Sequence, residues 1–413
     1  MPKKGLVVGL DIGTTKVCVL AGEVDEDGEV HIVGMGTSPS LGLRKGVVVD
    51  LDATIKAIEE ATERAERMAG ARFATAFVAV SGEHITSANS RGIVAIARSD
   101  HAIESGDVSR VVEAARMNAL PPSDRDLIHL LPRDFVVDGQ DGVRNPVGMF
   151  GARLEVDAHI VTGLATILAN VVKCVQEAGL EVEELVLEPL ASAEAVLTPA
   201  ERDLGTVVAD IGGGTTSIGV FVGGGLCHTA ILPVGGTHIT NDIAVGLRTP
   251  ITEAEKLKVR AGAAAPHMAA EGELIEVFNI GDRAPRILPR RHLCEIIEPR
   301  LAEIMSLLGA QLRRSGYVGV VPGGVVLTGG TALLPGIGQF AAEHLEMPAR
   351  TGAPEHVTGV TEAVRGPAYS TAVGLVQIGA RERSGAQLLR HGNGAKGAMG
   401  WLRGFFRAVL QGA

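Results

Sequence analysis

The 413-residue chain is poor in aromatic side chains, with one Trp, two Tyr and nine Phe. So few rings exclude the stacking platforms on which proteins hold single-stranded nucleic acid. Positive charge is also short: 38 Lys and Arg stand against 48 Asp and Glu, for a net charge of -10. Such a body repels phosphate backbones, and no nucleic-acid partner is expected. The four cysteines, Cys18, Cys174, Cys227 and Cys294, form no CxxC pair. That spacing excludes a zinc or disulfide framework and suits free thiols in a reducing cytoplasm. No Lys is followed by Ser or Thr, so there is no Walker A loop, and no GxSxG elbow marks a serine hydrolase. The start, Met1-Pro2-Lys3-Lys4, lacks the apolar core and cleavage site of a signal peptide. Residues 211 to 241 and 318 to 342 carry no charged side chain, but Gly, Pro and Thr interrupt both. They read as buried strands with turns and not as membrane spans.

Glycine, by contrast, is abundant at 54 residues, which directs attention to tight turns and close backbone approach to a ligand. Residues 6 to 33 read as three apolar strands joined by turns, residues 51 to 69 as an amphipathic helix, and residues 73 to 82 as a buried strand. Residues 83 to 159 are more charged, are broken by prolines, and read as an inserted α/β module. A strand near 159 to 163 and a helix near 164 to 178 follow it. At residue 204 the opening pattern returns: Val7-Val8-Gly9-Leu10-Asp11-Ile12-Gly13 is echoed by Val207-Val208-Ala209-Asp210-Ile211-Gly212. Each copy is followed by a Thr-Thr pair and an apolar strand, which implies two similar halves facing each other.

Two such hairpins are suited to a polyphosphate. Small residues at a turn let backbone N–H groups converge on an anion, and neighbouring hydroxyls add uncharged donors. Gly13, Thr14, Thr15 and Lys16 form one candidate jaw; Gly212, Gly213, Gly214, Thr215 and Thr216 form the other. Asp11 and Asp210, at the strand ends, suit a magnesium ion that keeps most of its waters. Two ordinary β-turns with solvated Asp residues are the alternative. A third turn, Gly329-Gly330-Thr331, follows an apolar strand and lets backbone approach a flat ligand such as adenosine. A GxGxxG match at Gly392, Gly394 and Gly397 lies in a polar tail with no strand before it and reads as linker composition.

The three turns, in this order, resemble the phosphate and adenosine loops of the superfamily that includes actin, heat-shock chaperone ATPases and sugar kinases. Within it, SGEHITSANSRGIVAI, NPVGMFGARLEVDAHIVTG and LPVGGTHITNDIA are similar to the bacterial FtsA cell-division family, and the resemblance covers nearly the whole chain. It implies an α/β actin-like ATPase fold with two related halves around a nucleotide cleft. The implied cofactors are ATP and Mg. The resemblance places Glu188 as a water-positioning acid and Glu255 and Lys258 along the nucleoside pocket. It places a connecting helix near 366 to 379, where Gly and Ala allow close packing. ATPase activity is left open, as at most weak.

The domain division implied is 5–82, 160–203 and 360–383 for subdomain 1A; 83–159 for the insert, 1C; 204–240 and 293–359 for 2A; and 241–292 for 2B. The implied partners are other copies of the chain in filaments, the C-terminal tail of FtsZ, later divisome proteins and anionic lipids. The FtsZ tail maps to Arg283, Arg286, Arg290, Arg291 and Arg300, for which a solvated charged surface is the plain alternative. Residues 384–397 read as a flexible linker and 398–413 as an amphipathic membrane-targeting helix. Trp401, Leu402, Phe405, Phe406, Val409 and Leu410 share its apolar face, with Arg403 and Arg407 on the polar side. Docking of this helix on its own body is the alternative. The location implied is the cytoplasmic face of the inner membrane at the septum. The rivals are a type IV pilus assembly ATPase-like protein and a small-molecule kinase of the same fold, neither of which needs the tail.

Overall fold

The computed structural model describes residues 5–25, 29–278 and 285–384. Arg283, the segment 385–397 of the linker and the whole 398–413 segment lie outside the described residues, and so do all the membrane-facing side chains named above.

Alternating apolar residues build two twisted sheets. In the first, Leu6–Ile12, Lys16–Val24 and Val30–Pro39 form an antiparallel meander. Thr75–Val80 joins Leu6–Ile12 in parallel, Glu181–Leu187 joins Thr75–Val80 in parallel, and Val357–Gly359 extends the far edge. In the second sheet Thr206–Ile211, Thr216–Val222 and Gly225–Leu232 repeat the meander, and Val325–Thr328 and Ala349–Thr351 add in parallel on the other side. Counted in chain order, five strands of each sheet run 3-2-1-4-5. The echo read in the sequence is therefore a duplicated topology. The two charge-free stretches supply buried strands and turns of the second half, as their composition implied, and also parts of helices Gly236–Leu247 and Ile337–Leu345, which it did not.

Helices cover these sheets because their apolar stripes match the faces. Leu51–Ala69 starts where the Asp50 side chain accepts from the Ala53 N–H at 3.0 Å and stops at Gly70, whose φ of 62° only glycine adopts without strain. It buries Ala57, Ile58, Ala61 and Ala65 against Val30–Pro39. Ile58 is wholly enclosed, and such burial contributes about 1.5–3 kcal/mol.

Two helices cross between the halves: Glu188–Val196 and Ser370–Ser384. They touch backbone to backbone, since a Cβ on Gly374 would lie 1.8 Å from the Ala191 carbonyl oxygen. The connecting helix starts later than residue 366 because Pro367 opens a short 3-10 turn, Pro367–Tyr369, before it.

The insert has its own antiparallel sheet, in the order Thr86–Ala95, Arg153–Leu164, Arg125–Val137, Gln140–Val143. Helix Ser105–Asn118 seals it over a separate core that includes Ile103, Val111, Phe135 and Val156. It also leans on the edge strand Gly225–Leu232 of the second half: Asn89 Nδ2 donates to the Cys227 carbonyl at 3.1 Å and Ser87 Oγ to that of Thr229 at 3.2 Å. Among the described residues no helix is long and apolar enough to cross a membrane.

Candidate functional site

The cleft between the halves is built first by the two hairpins. In one, Ile12 stands opposite Val17 and Asp11 opposite Cys18; in the other, Ile211 stands opposite Thr216 and Asp210 opposite Ser217. Each turn is closed by the same bond, Gly13 N–H to the Lys16 carbonyl at 3.0 Å and Gly212 N–H to that of Thr215 at 2.9 Å. The hairpins are thus equivalent residue by residue, and this corrects one detail of the sequence echo. Thr14-Thr15 corresponds to Gly213-Gly214, and not to Thr215-Thr216, because the closing bond sets the register. The substitution has a steric reason. A Cβ on Gly213 would lie 2.5 Å from Thr15 Cγ2, and one on Gly214 2.6 Å from Thr14 Oγ1. The threonines of one tip nest on the glycines of the other.

Asp11, Gly13, Thr14, Thr15, Lys16, Glu188, Asp210, Gly212, Gly213, Thr215, Gly329 and Gly330 line one cavity. Gly329 holds φ at 85°, and a Cβ there would meet Asp210 Oδ1 at 2.3 Å. Only glycine lets that third turn come so close to the acid. Thr216, Thr331, Glu255 and Lys258 sit elsewhere and brace the second hairpin. Thr216 Oγ1 donates inward to the Val234 carbonyl at 2.8 Å, and Thr331 Oγ1 donates to that of Gly212 at 3.0 Å. Lys258 Nζ bridges Glu255 Oε2 at 2.7 Å and the Gly236 carbonyl at 3.1 Å, while Gly236 N–H donates to the Gly212 carbonyl at 2.9 Å. Glu255 also accepts from Thr240 Oγ1.

Three carboxylates face this cavity, and the protein holds all three toward the protonated state. Burial pushes Asp11 up to about 6, with Asp210 adding to it and Lys16 opposing. Burial, then Asp210 and Asp11, push Glu188 up to about 8. Asp210 is raised by burial against the bonds it accepts from Ser192 and, at 2.9 Å, Thr371. Lys16 is the cation nearest them, but its Nζ is engaged by the Ala368 carbonyl at 2.6 Å and lies 3.7 Å from the Tyr369 ring centre. Among the described residues no three acidic, His or Cys side chains converge to hold a metal directly. The donor set instead suits a hydrated hard divalent cation, whose charge would return these acids to their ionised form.

A pH dependence follows. Asp11 and Glu188 bind protons in the folded chain well above their ordinary 3.8 and 4.5. Their contribution is full at low pH and is lost as pH rises through the folded values. Without nucleotide, the urea midpoint should fall between about pH 6.5 and pH 8, where Glu188 ionises in the fold, by on the order of 2 kcal/mol in stability; below about pH 6.5 the buried neutral His84 and His159 act in the opposite direction. A midpoint that is flat or rising over that range would remove the buried-acid account.

The sequence reading missed the groups that support these acids. Ser217 Oγ donates to Glu188 Oε2 at 2.5 Å and lies 2.9 Å from Ser81 Oγ. Ser192 and Thr371 lie on the two crossing helices, and Ala368 and Tyr369 lie just before the second. Only Ser217 carried a local signal, as a polar residue just past the second hairpin turn. The basic residues around 2B are mostly engaged. Arg300 holds Asp242 at 2.6 and 3.0 Å, Arg290 holds Glu273 at 2.8 Å, and Arg291 holds Glu295 at 3.1 Å. Arg286 is exposed and donates to the Leu247 carbonyl at 2.7 Å.

Comparison with known proteins places this geometry in context. The family described as "Cell division protein FtsA" matches residues 207–374, and the "SHS2 domain inserted in FTSA" matches residues 82–162. A cell division protein FtsA of Pseudomonas aeruginosa is 48% identical over 379 residues, 92% of this chain and 90% of its own length. That of Escherichia coli strain K12 is 41% identical, covering 91% and 90%. Among solved structures, a PilM-PilN type IV pilus biogenesis complex aligns with TM-score 0.66 at 19% identity, over 91% of this chain and 98% of the other. MreB5 of Spiroplasma citri bound to ADP aligns with TM-score 0.57 at 15% identity, over 93% and 98%. These structures share the actin-like fold.

Proposed function

The chain belongs to the FtsA family of cell-division proteins, and from that premise we propose that it binds ATP with magnesium between its halves, polymerises, and tethers FtsZ to the cytoplasmic membrane at the division septum. The pilus-assembly and kinase alternatives have only the shared fold behind them. The observation that carries the nucleotide reading is the pair of equivalent hairpins above three proton-holding carboxylates. Backbone N–H groups of both tips take the phosphates, and Asp11 and Asp210 take the water shell of the magnesium ion. The ion supplies positive charge to the phosphates and to the acids. Gly329 and Gly330 give the nucleoside room at the cleft wall, and Glu255 and Lys258 hold the second hairpin behind it. Glu188, steered by Ser217, positions water, and hydrolysis is slow because the halves must close fully before it can do so.

The test is calorimetric titration of the full chain with magnesium–ATP in two buffers of different ionisation enthalpy. One site per chain and release of protons at pH 7 are expected, because the cation displaces protons from the raised acids. Binding with no proton release would reject the acid assignment, and no binding would reject the nucleotide reading.

The rest of the proposal follows the division into 1A (5–82, 160–203, 360–383), 1C (83–159), 2A (204–240, 293–359) and 2B (241–292). Residues 384–397 act as a tether and 398–413 as the membrane anchor, and the 1C insert offers a surface to later divisome proteins. The arginines in and beside 2B receive the acidic tail of FtsZ; Arg291 is exposed but pairs with Glu295, so Arg286, exposed and bonded to a backbone carbonyl, leads. The charge reversals Arg286→Glu and Arg300→Glu together should lower FtsZ-tail affinity at least about tenfold and leave ATP affinity unchanged, read by fluorescence anisotropy of a labelled tail peptide. Equal affinity in both proteins would remove this surface from the account.

A further inference from the structure

One polar group on the cleft wall takes no part in the chemistry above. His84 lies in the turn that follows strand Thr75–Val80, lines the same cavity as Asp11, Lys16, Ser81 and Glu188, and is only 7% exposed. Among the described residues neither Nδ1 nor Nε2 has a hydrogen-bond partner. Buried imidazoles seldom leave both nitrogens unsatisfied, because each then loses its water without replacement. Burial, with Arg125 nearby, lowers its pKa to about 4, so at neutral pH the ring offers one N–H donor and one acceptor.

The turn around His84 is held firmly. Gly82 packs against the ring: a Cβ there would lie 2.8 Å from Nδ1, and φ is 138°. Gly46 closes over the same turn, since its Cβ would meet the Ser81 carbonyl oxygen at 2.5 Å. Arg125 donates to the His84 carbonyl at 2.5 Å and to Thr162 Oγ1 and its carbonyl at 3.0 and 3.1 Å. One guanidinium therefore ties the turn to the strand that leaves the insert. Ser81, three positions before His84, touches the hydroxyl that steers Glu188. The imidazole thus shares one cavity wall with Ser81 and Glu188.

We propose that His84 is a specificity-determining contact for the terminal phosphate of a nucleoside triphosphate, reached directly or through one water, so that the cleft distinguishes triphosphate from diphosphate. This rests on the nucleotide reading of the cleft. A diphosphate leaves the ring unpaired; a triphosphate adds the oxygen that pairs it. Arg125 then couples that event to the base of the insert.

The experiment uses the full chain with magnesium and either ADP or the non-hydrolysable triphosphate AMP-PNP. Calorimetry should show His84→Ala weakening AMP-PNP roughly tenfold, the scale of one hydrogen bond to a charged group, with ADP changed less than about twofold. His84→Asn, which keeps a donor and an acceptor, should recover most of the loss. In wild type, the His84 ring nitrogens should shift in 15N spectra with AMP-PNP and not with ADP, a readout that requires no variant. Equal losses for both nucleotides, or an unmoved His84 resonance, would overturn the proposal and leave the cleft reading intact. Wild type that binds neither nucleotide would overturn both.

Discussion

Asp210→Asn is expected to weaken magnesium–ATP binding about a hundredfold or more, the scale of two lost charged contacts, with the fold intact. Asn has the same shape and still accepts the hydroxyls of Ser192 and Thr371. It removes only the charge, which burial already disfavours in the empty cleft. The thermal midpoint should therefore hold or rise while affinity collapses, a combination that simple misfolding cannot produce. Asp210→Ala should lose affinity similarly but destabilise more, because it strips both hydroxyls of their acceptor. Calorimetry and a melt on the same samples read both effects. Unchanged affinity in Asp210→Asn would break the link between this carboxylate and the nucleotide.

Truncation after residue 384 is expected to abolish flotation with anionic vesicles, and Trp401→Glu in the full chain should reduce it severalfold. Residues 398–413 include six large apolar side chains, Trp401, Leu402, Phe405, Phe406, Val409 and Leu410, and after Glu382 the chain has Arg383, Arg390, Lys396, Arg403 and Arg407 but no acid. Each deeply buried apolar side chain contributes roughly 1.5–3 kcal/mol. Shallow insertion and the cost of ordering so short a segment, with Gly404 in it, would reduce that sum, so reversible binding by a single copy is the expected result. Firm binding is expected only of assemblies, in which many copies act together. If the truncated chain floats as well as wild type, the anchor lies elsewhere.

The cleft and its paired hairpins were legible because their turns are local. A strand ending in Asp-Ile-Gly before small residues reads as a tight turn, and seeing it twice implied two facing halves. The insert was legible as a change in charge and proline content. The Thr pair misled in detail, because spacing by eye cannot show that Gly13 and Gly212 close their turns on Lys16 and Thr215. Only the three-dimensional contact explains why one tip is Thr-rich and the other Gly-rich. The support of the acids was not legible at all. Lys16 finds the Ala368 carbonyl 352 positions away, and Thr371 reaches Asp210 across 161. No periodicity or motif encodes such pairs; they arise from two crossing helices that pack backbone to backbone at Ala191 and Gly374. The docking of the insert on Cys227 and Thr229 is equally non-local. Glu255 and Lys258 came from resemblance; Lys258 reaches the second hairpin through the Gly236 carbonyl.

The central claim is that one chain joins an ATP-filled cleft, an FtsZ-tail surface and a membrane anchor. Flotation of a labelled FtsZ-tail peptide with anionic vesicles, the full-length chain and magnesium–ATP tests all three together. The account predicts that the peptide floats with the chain and ATP present, drops sharply without ATP, and stays at the bottom with the chain truncated after residue 384. A peptide that never floats, or that floats equally with the truncated chain, would contradict it.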